Sequence, residues 1–163
     1  MNDFQNCLRC KGLKPYATAE VKGSEKYPDI NGKVEFFVTC GGVIVRAEIM
    51  GLPKATQKCE NRFFAFHIHS GNTCTGNSTD AFANSNGHYN PNGCSHPFHA
   101  GDLPPLINAD GVAFVEVLTN QFTASQIVGK TVIIHSKADD FITQPSGNSG
   151  EKIACGVIKK FRV

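Results

Sequence analysis

The run Phe63-Phe64-Ala65-Phe66-His67-Ile68-His69 decides how the rest of the chain is read. Successive side chains of an extended strand point to opposite faces, so residues two apart share a face. His67 and His69 therefore stand side by side, while Phe66 and Ile68 turn the other way. One face fills a core, and the other offers two imidazoles to a cavity or a metal. Four more histidines follow, His88, His96, His99 and His135, and none precedes the run.

Outward from this stretch, other segments carry the same period of two. Ala17, Ala19 and Val21 alternate with polar residues from Tyr16 to Lys22. Val34, Phe36 and Val38 do so from Lys33 to Cys40, and Val43 to Met50 follows. Gly41-Gly42 between them is a two-residue hairpin signal. Gly111–Leu118, Thr131–His135 and Ile153–Ile158 read as strands from their β-branched and aromatic content. Phe122 to Val128 reads as a short helical turn. Ser70–Asp110 and Ala138–Glu151 lack periodicity and are rich in turn residues. Loops this long inside a compact domain are usually functional or disordered. The expectation is an all-β fold, a Greek-key β-sandwich or barrel of about eight antiparallel strands with two long functional loops. Residues 1–14 read as a polar N-terminal extension carrying Cys7-x-x-Cys10, and residues 15–163 as one domain.

A formal net charge of +2 with no Lys/Arg run excludes a nucleic-acid binder. No apolar run approaches a membrane span. The first 14 residues lack the apolar core of a signal peptide. The expected location is cytoplasmic as written, or periplasmic or secreted if a leader has been removed. Seven cysteines, an odd count, leave at least one thiol without a partner in the chain, or all of them reduced or ligating.

The first long loop holds His88, His96 and His99, with Asp102 close behind. Three imidazoles and a carboxylate make a complete tetrahedral zinc shell, and a metal supplies order that a hydrophobic core cannot. His67, His69 and His135 make a second set, all imidazole, which suits copper as well as zinc. Taken singly, each has a plainer explanation. A lone strand histidine is usually just hydrogen-bonded, and His99-Ala-Gly-Asp102 is also a plausible Asx turn. All six histidines falling into two ligand-like groups is hard to obtain by accident.

Together these residues carry a resemblance. Phe66-His67-Ile68-His69, Gly87-His88-Tyr89-Asn90-Pro91, His99-Ala100-Gly101-Asp102-Leu103, Ile133-Ile134-His135-Ser136-Lys137-Ala138-Asp139-Asp140, and Gly147-Asn148-Ser149-Gly150 through Ala154-Cys155-Gly156-Val157-Ile158 resemble the copper,zinc superoxide dismutase family, in order, from Tyr16 to Ile158. The resemblance implies copper on His67, His69, His88 and His135, and zinc on His88, His96, His99 and Asp102. His88 is then a catalytic imidazolate bridge that takes up a proton when copper is reduced. Asp139 accepts from the free nitrogens of His67 and His96. Cys74 and Cys155 form the family disulfide, with Cys59 and Cys94 as competitors for Cys155. Gly147 to Lys152 rim the copper channel. The implied reaction converts superoxide anion, the substrate, to oxygen and hydrogen peroxide as copper cycles between Cu(II) and Cu(I).

The chain departs from the family at Lys152, where the family has an arginine beside copper. Lysine keeps the charge and loses the planar fork, so a slower enzyme is expected. Lys159 and Lys160 stand where eukaryotic members pair subunits through apolar residues, so a monomer is expected rather than a eukaryotic-type dimer. The alternatives are a copper/zinc-binding protein of the same fold with little or no dismutase activity, and a purely structural zinc protein.

Overall fold

The computed structural model describes residues 14–59 and 62–162. Cys7 and Cys10 lie outside the described residues, as does most of the N-terminal extension. The described strands are β1 (Ala17–Gly23), β2 (Asn31–Thr39), β3 (Gly42–Met50), β4 (Phe63–His69), β5 (Asp102–Ile107), β6 (Val112–Thr119), β7 (Thr131–His135), β8 (Lys152–Val157) and β9 (Lys159–Lys160). One short helix, α1 (Ala124–Ile127), starts at a capping box between Thr123 and Gln126.

The strands form one antiparallel sheet in the order β5-β4-β7-β8-β1-β2-β3-β6, with β9 added to β1. Its two ends, β5 and β6, approach each other, so the sheet curls into a nearly closed eight-strand barrel. The β3–β4 and β6–β7 connections each cross to a distant position in the order, which is Greek-key topology. The barrel's interior is apolar. Phe36, Phe66, Ile68, Leu106, Ile134 and Ile153 are all fully buried within it.

β4 has both faces covered. Phe64, Phe66 and Ile68 belong to the barrel core, while His67 and His69 are buried on the other side under the loops. Its neighbours are β5 and β7, with His67 opposite Asp102 on one side and Ile133 on the other. β6 shows the plainer pattern. Ala113 is buried, Val112, Phe114 and Leu118 face solvent, and Glu116 on that outer face pairs with Arg46 at 2.7 Å.

Three details differ from the sequence reading. The segment expected to be loop throughout contains β5. Its Pro104 and Pro105 argue against a strand, but proline is tolerated at a sheet edge, and β5 ends the order while Leu103 and Leu106 reach the core. The hairpin between β2 and β3 turns on Cys40-Gly41, because Thr39 already pairs with Gly42. The charged tail continues as β9, whose Lys159 and Lys160 pair with Thr18 and Ala17.

Candidate metal centre

The site is built where β4 and β7 run side by side. β4 carries His67 and His69, and β7 ends at His135. The long loop after β4 returns along it. Ser70 donates its amide to the Gly87 carbonyl at 2.9 Å, and the backbones of His69 and His88 pair in an isolated antiparallel β-bridge. The same loop delivers His96 and His99, and the start of β5 delivers Asp102. All six histidines and Asp102 thus meet in one place, each at least half-buried.

They meet as two groups. Donor atoms of His67, His69, His88 and His135 lie within 4.8 Å of one another, and so do those of His88, His96, His99 and Asp102. His88 belongs to both. Its Nδ1 is 2.7 Å from Asp102 Oδ1 and 3.3 Å from His99 Nδ1. Its Nε2 is buried and has no hydrogen-bond partner.

The second nitrogen of each ring decides which atom faces inward. A carboxylate or a carbonyl only accepts, so the ring nitrogen facing it carries the proton. Asp139 accepts from His67 Nε2 at 2.7 Å and from His96 Nε2 at 2.9 Å. That leaves Nδ1 of both rings unprotonated, and both are buried without a hydrogen bond, although His96 Nδ1 sits 3.1 Å from Asp102 Oδ2. The Asn86 carbonyl accepts from His69 Nδ1 at 2.7 Å, and the Gly150 carbonyl lies 3.5 Å from His135 Nδ1. The lone pairs of His69 Nε2 and His135 Nε2 then face each other at 3.3 Å. Buried, unpartnered and mutually facing lone pairs are costly unless a cation sits among them. Both groups therefore fit a metal ion.

The electrostatics agree with that fit. Burial pushes the His135 imidazole down to about 3, with His67 and His88 adding to the effect. Burial also lowers His67, and it takes His69 well below its ordinary value. Neutral imidazole is the ligating form. Burial alone would raise Asp139. Hydrogen bonds from His67, the Phe141 amide and His96 outweigh it and hold the carboxyl below the usual range. Asp102 is likewise raised by burial but lowered on balance, chiefly by His88.

Several supporting residues carry no signal in the sequence. Gln144 clamps the backbone of His96 from both sides, accepting its amide at 2.9 Å and donating to its carbonyl at 2.7 Å. Asn86 orients His69 through a main-chain oxygen that any residue type would supply. Gly147, expected on the channel rim, instead packs beneath the Asp139–His96 contact. It has φ +67, and a Cβ there would lie 1.9 Å from Asp139 Oδ1.

Cys74 and Cys155 are disulfide-bonded, joining the long loop to β8, while Cys59 and Cys94 are free and exposed. Such a bridge points to an oxidising compartment. Among the described residues no helix is long and apolar enough to cross a membrane. A cavity of about 1160 Å³ opens over His69, His88 and His135, with Lys152 on its wall. The Lys152 ammonium donates to Asp80 Oδ2 at 2.9 Å and to the Phe82 carbonyl at 3.1 Å.

Residues 30–158 match the family model for copper/zinc superoxide dismutase. The chain belongs to that family. It is 34% identical over 146 residues to "Superoxide dismutase [Cu-Zn] 2" of Aquifex aeolicus, with 80% of each chain covered. Its structure is similar to that of the Cu/Zn superoxide dismutase from Brucella abortus, with a TM-score of 0.71, 25% identity, and 86% and 98% of the two chains covered. It is also similar to a SOD-like protein from Bacillus subtilis, with a TM-score of 0.68, 28% identity, and 85% and 95% covered. Copper and zinc are the metals of this family by name, and the two donor groups are of a kind that suits them.

Two outcomes follow for the centre. Gly147→Ala forces Asp139 away from His96 and His67, and loss of such an outer contact weakens metal binding by roughly 10–100-fold. Competition titration with a zinc chelator measures this, and an unchanged constant refutes the packing argument. Acidification destabilises the metal-free protein. In the unfolded chain His135 titrates near 6.5, and in the fold near 3, so between these values only the unfolded state takes up the proton. The contribution is present above pH ~6.5 and is lost as pH falls toward ~3. Thermal unfolding from pH 7 to 4 should show a falling Tm, with a shallower fall in His135→Gln.

Proposed function

We propose that this protein is a superoxide dismutase that disproportionates superoxide to oxygen and hydrogen peroxide. The observation that carries this reading is His88, one imidazole shared between an all-histidine group and a group closed by a carboxylate. In this reading His67, His69, His135 and His88 would hold copper. His88, His96, His99 and Asp102 would hold zinc. Copper, when bound, supplies the one-electron cycle between Cu(II) and Cu(I), and zinc supplies a fixed charge without redox chemistry.

The chain's own residues do the rest. A neutral imidazole has one lone pair, so His88 joins both groups only by giving up its ring proton. Its Nε2 faces the group under the cavity, and there it can take up a proton and pass it to reduced oxygen. Asp139 keeps the rings of His67 and His96 in their ligating tautomers. The barrel strands hold His67, His69 and His135 rigidly. Lys152 stands on the cavity wall with its ammonium paired to Asp80.

A second reading, a metal-binding member of the fold with little turnover, rests on the Lys152 ammonium being paired with Asp80. Pulse radiolysis of the copper- and zinc-loaded protein separates the two. Superoxide consumption should far exceed that of His135→Ala, and equal rates would sink the enzyme reading. We also read the protein as a monomer, because Lys159 and Lys160 are exposed on β9 and charges are depleted from interface cores. Sedimentation velocity at micromolar concentration should give a monomer, and a stable dimer contradicts this.

A further inference from the structure

Superoxide is small against a cavity of about 1160 Å³, so shape does not select it there. Charge and coordination are left to do so. Both lysines on the cavity wall are already paired. Lys26 lies 2.8 Å from Glu151 Oε1, and Lys152 lies 2.9 Å from Asp80 Oδ2. Glu25 adds a further carboxylate to the same wall. The wall therefore carries no net positive charge from its side chains to draw in an anion.

The Asp80 partnership differs from a casual surface contact. The Asn77 side-chain oxygen accepts the amides of Thr79 and Asp80, at 2.9 and 3.0 Å. Asp80 Oδ1 accepts the Phe82 amide at 2.9 Å, which leaves Oδ2 aimed at Lys152. Phe82 is buried against Ile133 and the Cys74–Cys155 bridge. Cys155 lies three residues along β8 from Lys152, so the disulfide that clamps the loop also presents Asp80 to the lysine. The Lys152 side chain is only 15% exposed. Its ammonium is held on the wall by the Phe82 carbonyl as well, and cannot swing freely toward the histidines. The pair sets the charge that this part of the wall presents to the cavity.

We propose that Asp80 is a positioning residue for anion capture. It anchors the Lys152 ammonium and cancels its charge, so that small anions reach the first histidine group by coordination and not by a guiding field. This rests on the reading of that group as a copper site.

The test uses the full copper- and zinc-loaded chain and azide as the anionic probe, titrated through its charge-transfer band on Cu(II). Asp80→Asn keeps the side-chain oxygen that receives the Phe82 amide, so the loop keeps its fold. Removing one negative charge near the site should tighten azide by roughly 3- to 10-fold. Lys152→Gln should weaken it by a similar factor, and the double variant should return to the wild-type constant. The superoxide rate of the wild type should depend little on ionic strength, while that of Asp80→Asn should fall as salt rises. An azide constant that is unchanged or weaker in Asp80→Asn, with dismutase activity intact in the wild type, overturns the Asp80 inference and leaves the proposed function standing. Copper-loaded wild type that neither binds azide nor consumes superoxide overturns both.

Discussion

A carboxylate has only acceptors to offer, and Asp139 is buried with an imidazole on each side of it. His67 and His96 both donate to it through Nε2. Each ring is therefore fixed in one tautomer, with Nδ1 facing inward. The two rings belong to different donor groups, so one side chain sets the chemistry of both. Remove that acceptor and the protons on the two rings are free to move to the inward nitrogens, which then cannot ligate. The rest of the centre serves this contact. Gly147 makes room for it, and the Phe141 amide helps hold the carboxyl ionised.

The barrel contributes rigidity and four of the seven candidate ligands, His67, His69, Asp102 and His135, and the long loop contributes the other three. β4 is held between β5 and β7, with aromatic and aliphatic side chains locked in the core on one face. Its other face has no freedom left, so His67 and His69 are positioned by the same burial that stabilises the fold. The loop carrying His88, His96 and His99 has little apolar core of its own. It is tied down by the disulfide, the small cluster around Phe82 and the reciprocal bonds between Gln144 and His96. The lone pairs of the two groups remain uncompensated at its centre. A metal ion would be a partner for them, and loop order would then be coupled to metal binding.

Lys152 shows how a tertiary contact changes the meaning of a residue. As a letter in the sequence it is a positive charge beside a candidate metal centre. In the fold it is one half of an ion pair whose other half lies 72 residues earlier. The loop that brings Asp80 there is the loop the disulfide fastens. The electrostatics of the cavity thus depend on a covalent link, the Cys74–Cys155 bridge, that lies at its own wall.

Much of this was legible in the sequence because it is local or periodic. Alternation along Phe63–His69 established a strand with two faces, and the same signal found most of the barrel. The clustering of His88, His96, His99 and Asp102 marks a candidate metal loop in the sequence alone. Other features depended on contacts between distant residues. β5 was hidden in a stretch without periodicity and rich in turn residues, and its two prolines are acceptable because it lies at the sheet edge. Gln144, Asn86 and Gly147 act through backbone atoms or through an absent Cβ, which leave no compositional trace. Pairing of Cys155 with Cys74, and not with Cys59 or Cys94, is a matter of which thiol the folded loop brings within reach. By itself the sequence determined which side chains were available and which of them share a strand face, because that periodicity is a property of the local backbone. The tertiary structure alone decided which nitrogen of each ring points inward and which carboxylate neutralises which lysine, because those outcomes depend on partners far away along the chain.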